Sequence, residues 1–165
     1  MAQQPPQRKR NTSLRDSIID LQCKKISDNS VVSLTEYRLT RKLNSDRTIL
    51  VVDRDKMSRG GVKRHLEAES FRVEVAEDAI SLSQALEMNR LDLILLDVDL
   101  PWVDGYELCS LLKSHDAVKR IPVVMTSESS TPELVDMCFA AGCDEFLVKP
   151  FDADRMADVL NKVFS

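Results

Sequence analysis

From Thr48 onward, short apolar runs alternate with stretches in which apolar residues recur every three or four positions, and this alternation leaves few folds open. The run Ile49-Leu50-Val51-Val52 is short, β-branched and bounded by charge, as a strand buried on both faces of a parallel sheet should be. A helical stretch from about Lys56 to Glu69 follows, weakened by the Gly60-Gly61 pair. Phe71 to Val75 reads as a second strand, and a helix with Leu82, Ala85 and Leu86 on one face comes next. Leu93-Ile94-Leu95-Leu96 is the most apolar run and belongs at the centre of the sheet. Leu108, Leu111 and Leu112 mark a helix beyond Gly105, and Ile121 to Met125 a fourth strand. Thr131 caps the next helix, Pro132 occupies its first turn, and Leu134, Met137, Cys138 and Ala141 keep helical spacing until Gly142 ends it. Phe146-Leu147-Val148 forms a fifth strand. Asp152 then caps a last helix whose apolar face is Met156, Val159, Leu160 and Val163.

Five strands and five helices in residues 48–165 predict a doubly wound α/β domain, a five-stranded parallel sheet covered on both sides. Residues 1–47 stand apart by charge: they hold 10 Lys/Arg against 5 Asp/Glu, whereas residues 48–165 hold 13 against 22. Residues 1–11 read as a basic arm. Ser13 with Asp16 resembles a capping box ahead of Leu14, Ile18 and Leu21, and Ser33 with Glu36 starts a short helix through Tyr37, Leu39 and Leu43. The expected division is thus an N-terminal arm with a helical extension over 1–47 and the α/β domain over 48–165.

Composition removes whole classes of function. With four glycines no Gly-rich phosphate loop can be written, and with two histidines no zinc cluster. No apolar run approaches the roughly 18 residues of a membrane helix. Cys23, Cys109, Cys138 and Cys143 are scattered without a Cys-x-x-Cys pair, and the basic N-terminus has no apolar segment after it. A reducing, cytoplasmic setting is expected. A solvated tail is the expectation for the basic arm, so nucleic acid is not an expected partner.

In a sheet of this kind, functional groups collect at the carboxyl ends of the strands. Asp53 follows the first strand, Asp97 ends the third, Thr126 the fourth, and Lys149 follows the fifth. Two carboxylates, a hydroxyl and an ammonium on one spot suit the handling of a phosphoryl group. One carboxylate can act as nucleophile and a second can hold a divalent ion such as Mg2+, while the ammonium and hydroxyl neutralise and hydrogen-bond phosphoryl oxygens.

Over about residues 47–165 the sequence resembles the receiver domain of two-component response regulators. The resemblance rests on Ile49 to Asp53, on Leu95-Leu96-Asp97-Val98-Asp99-Leu100-Pro101-Trp102-Val103-Asp104-Gly105, on Pro122 to Ser127 and on Phe146-Leu147-Val148-Lys149-Pro150-Phe151. It implies a flavodoxin-like sheet in the order 2-1-3-4-5. It also implies that Asp97 accepts a phosphoryl group from a sensor histidine kinase or phosphotransfer protein, that Lys149 pairs with that group, and that Thr126 swings to bond it. Magnesium would be held by Asp53, Asp97 and the backbone carbonyl of Asp99. Lys149-Pro150 is expected to be cis. Phe146 would follow Thr126 inward and reshape the face made by the fourth helix of the domain, the one starting at Pro132, and the fifth strand. A downstream protein would read that face, either directly or through residues 1–47, which could also support a homodimer.

One departure from the family pattern stands out: relatives place two adjacent acids after the first strand, whereas here Asp53 is followed by Arg54 and then Asp55. An inward Arg54 would pair with Asp97 and replace the metal, giving a pseudo-receiver that acts as an unphosphorylated interaction module. An outward Arg54 leaves Asp53 and Asp97 able to hold the ion. Asp99 and Glu128 flank the expected path of water. A haloacid-dehalogenase-like phosphatase, with Asp97-Val98-Asp99, Thr126 and Lys149, is a weaker alternative, because that family carries its Asp-x-Asp on the first strand.

Overall fold

A computed structural model describes residues 34–165 apart from Asn89. The expected helix from Ser13, Cys23 and the basic arm lie outside the described residues. Thr40–Ser165 form one compact unit; of the other, Met1–Leu39, only the start of the first helix is described.

The described elements are helix α1 (Leu34–Ser45), strand β1 (Thr48–Val52), α2 (Lys56–Ala68), β2 (Arg72–Ala76), α3 (Ala79–Met88), β3 (Leu93–Asp97), α4 (Gly105–Ser114), β4 (Val123–Ser127), α5 (Pro132–Ala140), β5 (Glu145–Val148) and α6 (Ala153–Phe164). All four strand pairings are parallel, in the order β2-β1-β3-β4-β5. The sheet is the doubly wound one expected from the alternation. β4 begins at Val123, two residues later than the apolar pattern suggested, because Pro122 has no N–H for the ladder. Pro122 contributes only its carbonyl, which accepts from Ile94 N–H at 3.0 Å.

Two apolar layers sandwich the sheet. On one face Leu50, Val52, Ile94, Leu96, Val123 and Met125 pack with residues of α3, α4 and α5; on the other Ile49, Val51, Leu93, Leu95 and Val124 pack with α2 and α6. Successive side chains of a strand point to opposite faces. The unbroken apolar runs therefore serve both layers at once, and all five residues of β3 are buried. Edge strand β2 is only partly covered, and it is the strand in which charged residues alternate with apolar ones.

Local chemistry sets the helix ends as the sequence suggested. Thr131 caps α5 by accepting from Leu134 N–H, Asp152 caps α6 by accepting from Arg155 N–H, and Gly142 takes φ +97° just beyond α5. Helix α1 is tied to the domain at the far end of α2. Asn44 Nδ2 donates to Glu69 O at 2.9 Å and Arg41 Nη2 to Ala68 O at 3.3 Å, which satisfies carbonyls that a helix C-terminus leaves without partners.

Gly60 and Gly61 sit inside α2 without a steric reason. A Cβ on Gly61 would meet no atom within 4 Å, and one on Gly60 would meet only Arg64 Nη1 at 3.9 Å. Gly61→Ala should therefore stabilise the domain by about 1 kcal/mol through helix propensity alone. Urea unfolding would read this as a higher midpoint at unchanged slope; a lower midpoint would mean that the helix needs its glycine.

Candidate functional site

The carboxyl ends of β1, β3, β4 and β5 lie side by side, and the residues expected there meet. Asp53 and Asp97 are 3% and 5% exposed, so little of either carboxylate is left to bulk water. Lys149 Nζ bridges them, 2.7 Å from Asp53 Oδ2 and 2.9 Å from Asp97 Oδ2. Thr126 is buried and stands opposite Asp97 in the β3–β4 register. Lys149 follows β5, its N–H donating to Ser127 O at 2.8 Å, and the Lys149-Pro150 peptide is cis.

These contacts fix the charges. Burial opposes ionisation of Asp53, but hydrogen bonds from Lys149, from Ser58 Oγ at 2.7 Å and from Asp55 N–H at 2.8 Å outweigh it and hold the carboxyl below its ordinary range. Asp97 has fewer donors: Lys149 and, at 3.1 Å, Asp99 N–H. Burial dominates there, the charge of Asp53 adds to it, and the carboxyl is pushed up. Burial also opposes the charge on Lys149, yet its two carboxylate partners raise its pKa. Asp97 is thus the less satisfied carboxylate of the pair, accepting from two donors where Asp53 accepts from three.

Two residues act at the site without having been expected there from the sequence. Ser58, in the first turn of α2, binds the Asp53 carboxylate. Arg59 is 8% exposed; its Nη1 donates to Asp53 O at 2.7 Å and its Nη2 to Glu77 Oε2 at 2.7 Å. A buried charge needs such partners. Arg59 lies three and seven residues before Val62 and Leu66, on the inward stripe of α2. A cation on a core-facing stripe is the signal that points to it.

Arg54 does not pair inward. It is exposed, and among the described residues Lys149 is the cation bound to Asp97. Of the two orientations open to Arg54, the structure has the outward one, and Lys149, just after β5, fills the place beside Asp97. Asp55 is committed elsewhere: its side chain caps α2 by accepting from Met57 N–H at 2.9 Å. Asp97, Lys149, Arg54, Asp99 and Glu128 all line one open cavity of about 1130 Å³ beside Met57 and Phe151. Phe146 lies on β5, with β4 between it and the Asp97 strand, half-buried against the layer that contains Leu134 and Ala141.

The donor set fits a hard, oxygen-seeking cation. Asp53 and Asp97 offer two neighbouring carboxylates and Asp99 a backbone carbonyl, and magnesium ordinarily takes one or two carboxylates and keeps several waters. Among the described residues no third acidic, histidine or cysteine side chain joins them. Among the described residues the thiols have no part in this site. Cys109, Cys138 and Cys143 are free and buried on the opposite layer, where burial pushes Cys109 up to about 11 and Cys143 up to about 12.

Among the described residues no helix is long and apolar enough to cross a membrane. Residues 49–161 match the family described as the response regulator receiver domain. Response regulator MprA of Mycobacterium sp. (strain KMS) is 36% identical over 109 residues, covering 66% of this chain and 46% of MprA. The chain spans as little as 18% of another curated relative it matches. Among solved structures, chemotaxis protein CheY4 of Vibrio cholerae aligns with a TM-score of 0.66 at 29% identity, over 71% of this chain and 98% of CheY4. The receiver domain of sensor histidine kinase PA1611 from Pseudomonas aeruginosa, which has a magnesium ion in its active-site cleft, aligns with a TM-score of 0.65 at 25% identity, over 72% of this chain and 98% of that domain. The phosphatase alternative is not favoured, since the Asp97 strand is third in the chain and the matched family is not an enzyme of that class. On its fold, its cluster of acids and lysine and the match across residues 49–161, the chain belongs to the response regulator receiver domain family of two-component systems.

Proposed function

We propose that this protein accepts a phosphoryl group on Asp97 from a phosphohistidine of a sensor histidine kinase or phosphotransfer protein. The observation that carries this reading is the bridge of Lys149 to both acids at the mouth of an open cavity. An Asp97 carboxylate oxygen attacks phosphorus, the bond from phosphorus to the donor imidazole breaks, and the leaving nitrogen keeps the electron pair and takes a proton from solvent. Lys149 Nζ, already 2.9 Å from Asp97, neutralises the arriving oxygens. Magnesium held by Asp53, Asp97 and the Asp99 carbonyl supplies further neutralisation when bound.

Thr126 and Phe146 carry the signal onward. Thr126 neighbours Asp97 on one side in register and Leu147 on the other, so a shift of its hydroxyl toward a phosphoryl group is felt at β5. Phe146 lies next to Leu147 and packs against the layer under α5, where Met137 and Phe139 are exposed. A downstream protein reads the face of α5 and β5. Residues 1–47 are the second route, through a partner or a second copy of the chain, and the work takes place in the cytoplasm.

Exposure to acetyl phosphate with magnesium, followed by intact-mass measurement, tests the central claim. An adduct of one phosphoryl group is expected in the wild-type protein and none in Asp97→Ala. A wild-type protein without adduct, or an adduct that survives in Asp97→Ala, refutes it.

A further inference from the structure

Arg54 has no described ion-pair partner, yet its position is held firmly. Arg59 Nη1 donates to the backbone carbonyls of Asp53 at 2.7 Å and of Arg54 at 3.4 Å, and Asp55 N–H is anchored on Asp53 Oδ1 at 2.8 Å. The main chain on both sides of Arg54 is thereby tied to the buried acid cluster. The side chain is exposed and lines the same cavity as Asp97 and Lys149.

Charge makes that position consequential. Asp53 and Asp97 bring two negative charges and Lys149 one positive charge to the site. A phosphoryl group on Asp97 leaves about two negative charges uncompensated, counting it as a dianion with Asp53 ionised. Asp99 and Glu128 in the cavity wall add to the excess. Of the described residues that line the cavity, Arg54 and Lys149 are the two strong bases. A guanidinium binds phosphoryl oxygens in a planar, two-pronged geometry and never loses its proton in this pH range. The same positive charge acts against a divalent ion beside Asp53.

We propose that Arg54 is a direct ligand of the phosphoryl group on Asp97, opposite Lys149, and that it lessens the need of this site for a divalent cation. The proposal rests on Asp97 being the phosphoacceptor. In the test reaction an Asp97 oxygen displaces acetate from the phosphorus of acetyl phosphate, one phosphorus–oxygen bond forming as another breaks, and acetate leaves as the anion.

The full chain and its Arg54→Gln, Arg54→Lys and Arg54→Asp variants would be treated with acetyl phosphate, once in saturating magnesium and once in EDTA, with Asp97→Ala as control. Adduct formation is followed by intact mass, and magnesium binding without donor by calorimetry. In EDTA the wild-type protein should form the adduct, Arg54→Lys should keep part of that rate, and Arg54→Gln should lose about tenfold or more, the size of one charge-assisted contact. Arg54→Asp should form the adduct only with magnesium and bind the ion at least about tenfold more tightly, having gained a third carboxylate. A wild-type protein inert in EDTA but active in magnesium overturns the proposal and leaves the phosphoacceptor reading intact; so does an Arg54→Gln variant equal to wild type in EDTA. Absence of an Asp97-dependent adduct in both conditions removes both.

Discussion

Lys149→Met will lower the stability of the domain by about 3 kcal/mol at pH 7, because it leaves two buried carboxylates facing each other without the cation that bridges them. The side chains of Asp53 and Asp97 are 4% and 7% exposed, so solvent replaces the ammonium only in part. The loss should depend on pH. Asp97 is already pushed up by burial in the wild-type protein, and without Lys149 it rises further against the charge of Asp53. A carboxyl whose folded pKa lies above its unfolded value contributes stability that is present below the unfolded value and lost as pH rises through the folded one. Asp53, held low by Lys149 and Ser58, contributes in the opposite sense, and its contribution fades as pH falls. Both changes make Lys149→Met most deficient near neutrality and least so toward pH 4. Urea midpoints at pH 4.5 and pH 7 check this, and equal deficits at the two values would disprove the electrostatic account.

The same cluster shows what the residue pattern could reveal. Asp53, Asp97, Thr126 and Lys149 were legible because a parallel sheet converts position along the chain into position in space: whatever follows each apolar run arrives at one edge. That rule needs only strand existence, so it survives the two-residue error at the start of β4. Side-chain direction follows no such rule. Whether Arg54 turned inward depended on whether the place beside Asp97 was free, and it is taken by Lys149, whose sequence separation from Asp97 is 52. Ser58 and Arg59 act from α2 onto Asp53, and their part depends on the helix phase relative to the loop before it. Residue types at those positions look ordinary until the phase is known. Arg59 is the partial exception, for its place on the buried stripe sets a demand for partners that Glu77 and the Asp53 carbonyl meet.

Gly105→Ala should be the most damaging single-methyl change in the domain, and the reason lies in the loop that follows Asp97. Residues 98–104 turn back so that Gly105 N–H donates to Val98 O at 2.8 Å, closing the segment onto the end of β3. Asp99 and Asp104 pair across it in an antiparallel bridge. The closure leaves no space for a side chain: a Cβ at Gly105 would lie 2.3 Å from Asp97 O and 2.6 Å from Val98 Cα. Both are backbone atoms at the end of β3 or next to it, and they cannot rotate away as a flexible side chain could. Its φ is not in the left-handed region, so the glycine is required by close approach and not by backbone conformation. Relief requires moving either the start of α4 or the end of β3, at about 3 kcal/mol for an overpacked core site. The fall in urea midpoint should come with slower phosphorylation of Asp97 in the fraction that remains folded, since the strand end that aims the carboxylate is what has to move. Gly61→Ala, adding the same methyl where nothing lies within 4 Å, is the matched control. If Gly105→Ala were as stable as wild type and formed the adduct at the wild-type rate, the loop closure would have no part in positioning Asp97, and the Asp-Gly pair ahead of α4 would be only a helix start.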